Sequence, residues 1–314
     1  MAPAQPGHRG NYPQPATYIG AYADRGGTIN TGNAIGAQYN NGDSQGRRLR
    51  KSTESRQDSV DVGILTVLAQ ESNAVVEVLM RHRTYRSQQL SGGPQVHSAS
   101  VDAEGGELRV VAVQTLDRGP LSAAVAYNQM RDRFRPPVVL LVGIAGGIAA
   151  HLAVGDVVIA DEIIYYDPRR ETPDGLRHRG RSQPMAPVLR HRLNEFFRRH
   201  DGWIAMPPND DIRLHRGPIG SGDAVITDAK SATIAFLRDF NEKTLVVETE
   251  ASGVGQAFYE QIDHEASLKG WLAIRGISDL VDRHMSHARH RFAARRAAHV
   301  MDHLLPLLKL TDRR

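Results

Sequence analysis

Short apolar runs alternate with amphipathic segments along this 314-residue chain from about residue 59 onward. Apolar runs bounded by polar or glycine-rich segments, such as Val62–Leu68, are typical of strands buried on both faces. Segments with apolar residues at helical spacing, such as Glu71–Met80, predict helices between those strands. The alternation predicts one α/β domain over residues 59–314, with helices on both faces of a central sheet.

The pattern assigns most of this domain to strands and helices. Predicted strands cover Val62–Leu68, Val96–Val101, Leu108–Val113, Val138–Val142, Asp156–Ala160, Pro218–Gly220, Leu245–Val247 and Trp271–Ile277. Predicted helices cover Glu71–Met80, Leu121–Phe134, Val188–His200, Ser231–Phe240, Ser252–Gln261 and a C-terminal segment. The arginine-rich segment Pro168–Gln183 is predicted to be a long loop.

Residues 1–58 have a different composition, rich in Gly, Asn, Gln, Pro and Ser with almost no aliphatic side chains. Such a segment buries too little apolar surface to offset its ordering entropy, so we predict a disordered tail. The small-polar texture of Gly26–Gly36 offers an alternative, a short β-like array stacked on a protein partner. The basic run Arg47–Lys51 is interpreted as a solvated linker or a contact to an acidic partner or nucleic acid.

The composition of the whole chain narrows the chemistry. The absence of cysteine excludes disulfides and thiolate catalysis and fits a reducing compartment, so we expect a cytoplasmic protein. The start of the chain, residues 1–7, has neither the basic region nor the apolar region of a signal peptide, so none is expected. A net charge of +4 permits anionic ligands and does not require nucleic acid. The uncharged segment Val138–Gly155 is broken by glycines, so it predicts a strand, a glycine loop and a strand instead of a membrane span.

Two of the apolar strands end in carboxylates. Val246-Val247 leads into Glu248-Thr249-Glu250, and Ile274–Ile277 leads into Ser278-Asp279. Open α/β sheets bind their ligands beyond the carboxyl ends of their strands, and a buried carboxylate is costly unless it is paired or used. The two acidic strand ends therefore predict a single polar site.

Five blocks of the chain occur in a diagnostic order. They are Val62-Gly63-Ile64 with Glu71, Gly143–Gly147 with Val154–Val158, Ser221–Asp223, Val247–Ala251 and Ile274–Asp279. In these blocks, residues 60–310 resemble the purine nucleoside phosphorylase superfamily, and most closely its 5′-methylthioadenosine/S-adenosylhomocysteine nucleosidase branch. The resemblance implies a mixed, partly barrel-like sheet, cleavage of the bond between a purine and a ribose, a dimer or trimer, and no metal or organic cofactor.

The resemblance also implies catalytic roles for three carboxylates. Asp279 would protonate the purine at N7, held by Ser278, and Glu250 would bind the ribose hydroxyls and stabilise the cationic sugar. Glu71 would align the attacking water. Each has a structural alternative, because Asp279 could cap the following helix, while Glu250 and Glu71 could be helix N-terminal acids favoured by the macrodipole.

Further substrate contacts follow from the same resemblance. The implied substrate-binding residues are Gly143, Gly146, Ser221, Gly222, Val225, Ile226, Glu248, Thr249, Ser278 and Arg118. The glycines would let the backbone approach the ligand closely. Glu248 has a structural role as its main interpretation and a contact to the sugar pocket as its alternative.

Several positions depart from the family pattern. Leu141 and Ile144 stand where phosphorylases carry the Arg and Ser that bind phosphate, which favours water over phosphate as the acceptor. Thr249 replaces the nucleosidase Met, and the serine-led loop reads Leu116–Gly119, which brings in Arg118. Because arginine suits phosphate oxygens, Arg118 and the arginine-rich loop support a nucleotide substrate, for example an adenine nucleotide, with a solvated basic loop as the alternative.

Other function classes remain open at this point. A phosphate-dependent phosphorylase is the alternative enzyme, and a non-catalytic nucleotide sensor is the alternative from another class. The fusion of a tail to a nucleosidase suggests an effector in a bacterial conflict system. His287 and His290 have metal-ligand spacing, but no carboxylate completes a set, so an exposed basic helix face is expected.

Overall fold

The computed structural model describes residues 60–208, 210–262, 267–281 and 286–310, so the predicted tail of residues 1–58 lies outside the described residues. Its strands are β1 Val62–Thr66, β2 Arg83–Gln89, β3 Gln95–Ala103, β4 Gly106–Gln114, β5 Val138–Gly147, β6 Val157–Tyr165, β7 Arg169–Thr172, β8 Gly175–His178, β9 Arg181–Pro184, β10 Trp203–Ile204, β11 Ile212–Ser221, β12 Val246–Glu248 and β13 Gly270–Asp279. Its helices are α1 Ala69–Leu79, α2 Pro120–Phe134, α3 Pro187–His200, α4 Ala232–Phe240, α5 Ala251–Gln261 and α6 His287–Leu304.

One mixed sheet forms the centre of the molecule, in the order β10-β11-β6-β13-β5-β1-β4-β3-β2. The short strand β12 pairs with both β11 and β5, so β5, β12, β11, β6 and β13 form a closed circuit of paired strands. Strands β1, β4, β3 and β2 extend from this ring as an open arm. The predicted mixed, partly barrel-like sheet is confirmed.

Helices cover both faces of the sheet, which explains the continuous apolar runs. Helices α1, α3 and α6 pack in one apolar cluster, and α2 and α5 pack in a second. Successive residues of one strand enter opposite clusters, as Leu140 and Leu141 of β5 do. Burial of each such side chain stabilises the fold by about 1.5–3 kcal/mol.

The prediction of a long loop over Pro168–Gln183 is wrong. Strands β7 and β8 form a hairpin there, and β9 pairs with β6. Between the hairpin strands lie Pro173 and Asp174, and Gly175 follows with φ +111°. Proline, aspartate and glycine in this order suit a tight turn whose last residue needs a positive φ. Because the segment is rich in arginine, this turn signal was not recognised in the sequence.

Strand β2 was not predicted, because none of its residues is buried. It pairs with β3 at the edge of the sheet and carries polar side chains that show no alternation. Polar residues at a sheet edge discourage pairing with other chains. The hydrophobic pattern therefore cannot reveal such a strand.

The uncharged segment Val138–Gly155 begins as a strand, as predicted, but its glycines do not start a loop. Strand β5 runs through Gly147, and Gly146 pairs with residues of both β12 and β13. Among the described residues, no helix is both long and apolar enough to cross a membrane.

Gly253 of α5 lies against the first residue of α2. A Cβ atom at this position would lie 1.8 Å from the carbonyl oxygen of Pro120. We expect Gly253→Ala to lower the free energy of unfolding by about 1–3 kcal/mol, because the two helix ends must separate. Urea denaturation measures the change. Gly93→Ala is the control, since its Cβ would contact only the Leu90 side chain, at 3.3 Å; equal losses in the two variants would contradict the explanation.

Candidate active site

A cavity of about 150 Å³ lies where the two acidic strand ends meet. It is lined by Val67, Leu68, Glu71, Arg118, Ile144, Ala145, Gly146, Ala224, Val225, Ile226, Val247, Glu248, Thr249, Glu250, Ser278, Asp279 and His290. The structure therefore brings together Glu71, Glu250 and Asp279, although they are far apart in the sequence.

Asp279 is the last residue of β13 and is 6% exposed. Ser278 Oγ lies 2.8 Å from its Oδ2, and Val281 N donates to its Oδ1 at 2.9 Å. The next helix, α6, begins at His287 with Ser286 as its N-cap, so the alternative role of Asp279 as a helix cap is wrong. Asp279 is thus a buried carboxyl group that faces a cavity.

Glu250 occupies the N-cap position of α5 and is 5% exposed. Its Oε1 accepts hydrogen bonds from Gly119 N at 3.2 Å and from Thr249 Oγ1 at 2.6 Å. Its position matches the alternative interpretation as a helix N-terminal acid, yet its side chain also lines the cavity. Thr249 lines the same wall and holds this carboxylate in place.

Glu71 lies in the first turn of α1, where it accepts hydrogen bonds from three backbone N–H groups. Its Oε2 accepts from Val67 and Leu68 at 2.9 and 2.8 Å, and its Oε1 accepts from Ile144 at 2.8 Å. The bond from Leu68 N is part of the N-terminal cap of α1, so Glu71 also has the structural role of an acid at the helix N-terminus. Burial raises the pKa of Glu71 above the usual 4.5, and the charge of Arg275 opposes this shift.

Arg275 is the functional residue that the sequence interpretation missed. It has no solvent exposure, and its Nη2 donates to Glu248 Oε2 and, at 3.4 Å, to Glu250 Oε2. Burial lowers the pKa of Arg275, but the charges of Glu248, Glu250 and Glu71 outweigh this effect and raise it. A charged residue inside the apolar strand Trp271–Ile277 was the available signal, since such a charge needs partners.

Glu248 connects this ion cluster to the helix that carries Glu250. Its carboxylate accepts hydrogen bonds from Glu250 N at 3.1 Å and from Ala251 N at 3.0 Å. Burial raises the pKa of Glu248, and the charge of Arg275 opposes the shift. Glu248 therefore holds the N-terminus of α5 to β13, while one edge of it still lines the cavity.

Three predicted substrate-binding residues lie outside the lining of the cavity. A Cβ at Gly143 would lie 2.3 Å from Arg275 Nη1 and 2.4 Å from Glu71 Oε1, so this glycine makes room for the ion cluster and not for a ligand. Ser221 Oγ accepts from Ser252 N at 2.8 Å and so holds α5. A Cβ at Gly222 would collide with the ring of Tyr166. These positions support the wall instead of forming it.

The arginine-rich segment contributes no side chain to the cavity lining. Its hairpin base supports the wall, because Tyr166 OH donates to the Ala224 carbonyl at 3.2 Å and Asp167 accepts from Asp223 N. A different basic side chain lines the cavity, namely His290 in the first turn of α6. Its spacing from His287 was the only signal in the sequence, and that spacing does not reveal the cavity.

Comparison with known proteins identifies the family. The sequence profile of the Phosphorylase superfamily matches residues 61–308. The chain belongs to this superfamily. The 5′-methylthioadenosine/S-adenosylhomocysteine nucleosidase of Bacillus pumilus (strain SAFR-032) is 26% identical over 243 residues, which cover 76% of this chain and 99% of that protein. The ATP nucleosidase Cap17 of Escherichia coli (strain KTE188) is 27% identical over 259 residues, 75% of this chain and 49% of Cap17.

A solved structure shares the superfamily fold. The 5′-methylthioadenosine/S-adenosylhomocysteine nucleosidase of Neisseria meningitidis, in complex with methylthio-immucillin-A, superposes with a TM-score of 0.61 at 21% identity. The match covers 78% of this chain and 98% of that one. The predicted family and fold are thereby confirmed, and the chain spans about half the length of Cap17.

The ion cluster around Arg275 makes a testable contribution to stability. Arg275→Met leaves the buried carboxylates of Glu248 and Glu250 without their cation, so we expect a loss of about 3–5 kcal/mol in the free energy of unfolding. Urea denaturation followed by circular dichroism measures it. Arg295→Met is the matched control, because Arg295 pairs with Glu77 at 3.3 Å between half-exposed side chains. Its loss should stay below about 1 kcal/mol, and similar losses in the two variants would refute the role of Arg275.

Proposed function

We propose that the protein hydrolyses the N-glycosidic bond of a purine nucleoside or nucleotide and releases the free base. The observation that carries this proposal is the meeting of Asp279, Glu250 and Glu71 in one cavity. At the level of enzyme class, the nucleosidase relatives bear out the prediction of a hydrolase that acts on N-glycosyl compounds. The particular roles of the carboxylates rest on geometry and chemistry.

Asp279 supplies the proton that makes the purine a better leaving group. As the bond from C1′ to N9 breaks, its electron pair moves onto the purine, which would otherwise leave as an anion. Transfer of the Asp279 proton to N7 neutralises that charge. Ser278 and Val281 hold the two carboxyl oxygens, so the group keeps one orientation towards the base.

Glu250 binds the sugar and stabilises its positive charge. Loss of the base leaves a cationic, oxocarbenium-like ribose, which a fixed carboxylate stabilises electrostatically. The same carboxylate accepts hydrogen bonds from the 2′ and 3′ hydroxyls. Arg275 and the N–H of Gly119 donate hydrogen bonds to the Glu250 carboxylate, so its orientation does not depend on the substrate.

Glu71 directs the water that completes the reaction. The water oxygen forms the new bond to C1′, and one of its protons passes to the Glu71 carboxylate. The products are the free base and the ribose or ribose phosphate, and solvent returns a proton to Asp279 and takes one from Glu71. A pKa that burial raises makes Glu71 a stronger base than an exposed carboxylate.

Water is favoured over phosphate as the acceptor. The side chain of Leu141 is fully buried, and that of Ile144 is apolar, with its N–H bound to Glu71. Arg275, whose charge acts on Glu71, pairs through its Nη2 with Glu248 and Glu250. A phosphate ion beside Glu71 would therefore meet a carboxylate whose neighbouring cation already pairs with two other carboxylates.

The Asp279→Asn variant keeps the side-chain shape and removes the transferable proton. We expect free-base release to fall by about a hundredfold to ten-thousandfold, while calorimetric binding of an adenine nucleotide is retained. Asp161→Asn is the control, because Asp161 pairs with Arg216 at 3.3 Å outside the cavity. A wild-type protein that binds adenine nucleotides but releases no base would instead support the non-catalytic sensor.

The pH dependence tests the role of Glu71. The group must be ionised to accept a proton, and burial raises its pKa above 4.5. We therefore expect kcat/KM to fall as the pH decreases, with an apparent pKa on the acid side above 4.5. Circular dichroism at each pH verifies that the protein remains folded. A rate that stays constant down to pH 4.5 would exclude Glu71 as the base.

The biological setting stays a prediction. The tail of residues 1–58 lies outside the described residues, so its protein partner and an effector role in a bacterial conflict system rest on the sequence alone. The dimer or trimer also rests on the family resemblance.

A further inference from the structure

The lining of the cavity carries an arginine and a histidine besides its carboxylates. Glu71, Glu250 and Asp279 are buried, whereas Arg118 is exposed and His290 is half-buried. Burial lowers the pKa of His290; Asp279 opposes the shift, while His287 and Arg118 add to it. Arg118 and His290 are therefore close enough to act on each other, although 172 positions separate them in the sequence (from 118 to 290).

Arg118 is held by its backbone while its guanidinium group is available. The N–H of Arg118 donates to Asp117 Oδ1 at 2.8 Å, and the N–H of the next residue, Gly119, donates to Glu250 Oε1 at 3.2 Å. Within residues 60–208, 210–262, 267–281 and 286–310, no carboxylate forms an ion pair with Arg118. A fixed loop thus presents an unneutralised cation next to Gly119, the residue that donates to the carboxylate proposed to bind the ribose.

His290 adds a second polar group from another element. It lies in the first turn of α6, an 18-residue helix whose N-terminal dipole favours an anion. Its ring contacts that of His287 at a centroid distance of 6.1 Å, and within the described part of the chain its imidazole forms no ion pair. Two different elements thus supply donors to the same part of the cavity.

We propose that Arg118 and His290 form a subsite for a phosphate carried by the substrate, so that the preferred substrates are purine nucleotides over neutral nucleosides. This inference rests on the proposed function. Since Asp279 takes the base and Glu250 takes the 2′ and 3′ hydroxyls, the 5′ position is the remaining attachment point for the phosphate. The forked guanidinium group matches phosphate oxygens in pairs, which a neutral 5′ substituent cannot exploit.

The structure changes which residues account for nucleotide binding. The arginines of the β7–β8 hairpin, which the sequence alone makes candidates, contribute no side chain to the cavity lining. Inorganic phosphate could bind the same donors, because its oxygens resemble those of a phosphate group on a substrate. To react, however, it would have to reach C1′ beside the Glu71 carboxylate, whereas Arg118 is at the exposed part of the lining. A phosphate attached to the substrate needs no such approach.

The experiment compares kcat/KM for free-base release from AMP, ATP, adenosine and 5′-methylthioadenosine in phosphate-free buffer. We expect the wild-type protein to prefer the nucleotides. The ratio of kcat/KM for AMP to that for adenosine should fall by about tenfold to a hundredfold in Arg118→Met, mainly through KM, and to a lesser extent in His290→Phe. Arg118→Lys should restore part of the ratio. Arg177→Met, an exposed hairpin arginine paired with Asp174 at 3.7 Å, should leave it unchanged.

Each other outcome overturns the subsite. An unchanged ratio in Arg118→Met, or faster release from 5′-methylthioadenosine than from AMP, refutes it while the hydrolytic function stands if Asp279→Asn is inactive on both substrates. If the wild-type protein releases no base, the proposed function fails, and calorimetry of AMP with wild-type and Arg118→Met protein then decides the subsite: equal affinity refutes it. Base release that requires added orthophosphate and yields ribose 1-phosphate, with a higher KM for orthophosphate in Arg118→Met, assigns the donors to the free ion.

Discussion

The site depends on one buried guanidinium group placed among three carboxylates. Arg275 compensates the charges of Glu248 and Glu250 and acts on that of Glu71, and none of these residues is more than 6% exposed. Burial raises the pKa of Glu71 and of Glu248, and the charge of Arg275 opposes both shifts. The geometry of the cavity and its ionisation state therefore have the same origin.

The cluster also determines how the neighbouring elements pack. Glu248 connects Arg275 to the N-terminus of α5, and Gly119 connects Glu250 to the start of α2. Gly143 leaves the space that Arg275 and Glu71 occupy, and Gly253 lets α5 approach Pro120. The strand ring is closed by the three residues of β12, directly beside this cluster. Closure of the sheet and assembly of the site thus occur at one place.

Sequence patterns could predict what depends on local periodicity. The apolar runs gave most of the strands, and the acids at the ends of β12 and β13 indicated a shared site because both faces of those strands are buried. Sequence patterns could not predict β2, because it buries no side chain. They also could not predict the partners of Arg275, because these come from other elements. The space that Gly143 leaves for Arg275 and Glu71 could not be predicted for the same reason. A glycine that makes room for two side chains looks, in sequence, like one that makes room for a ligand.

The backbone bond from Gly119 to Glu250 has a further consequence. It fixes the main chain beside the carboxylate that we propose binds the ribose, while the side chain of Arg118 is exposed. The charge at this position can therefore change without displacing the carboxylates of the cavity. Under the proposed subsite, a single substitution there alters which sugar substituents are accepted. Such a separation of chemistry from selectivity lets descendants of one ancestral enzyme diverge in substrate while conserving their reaction.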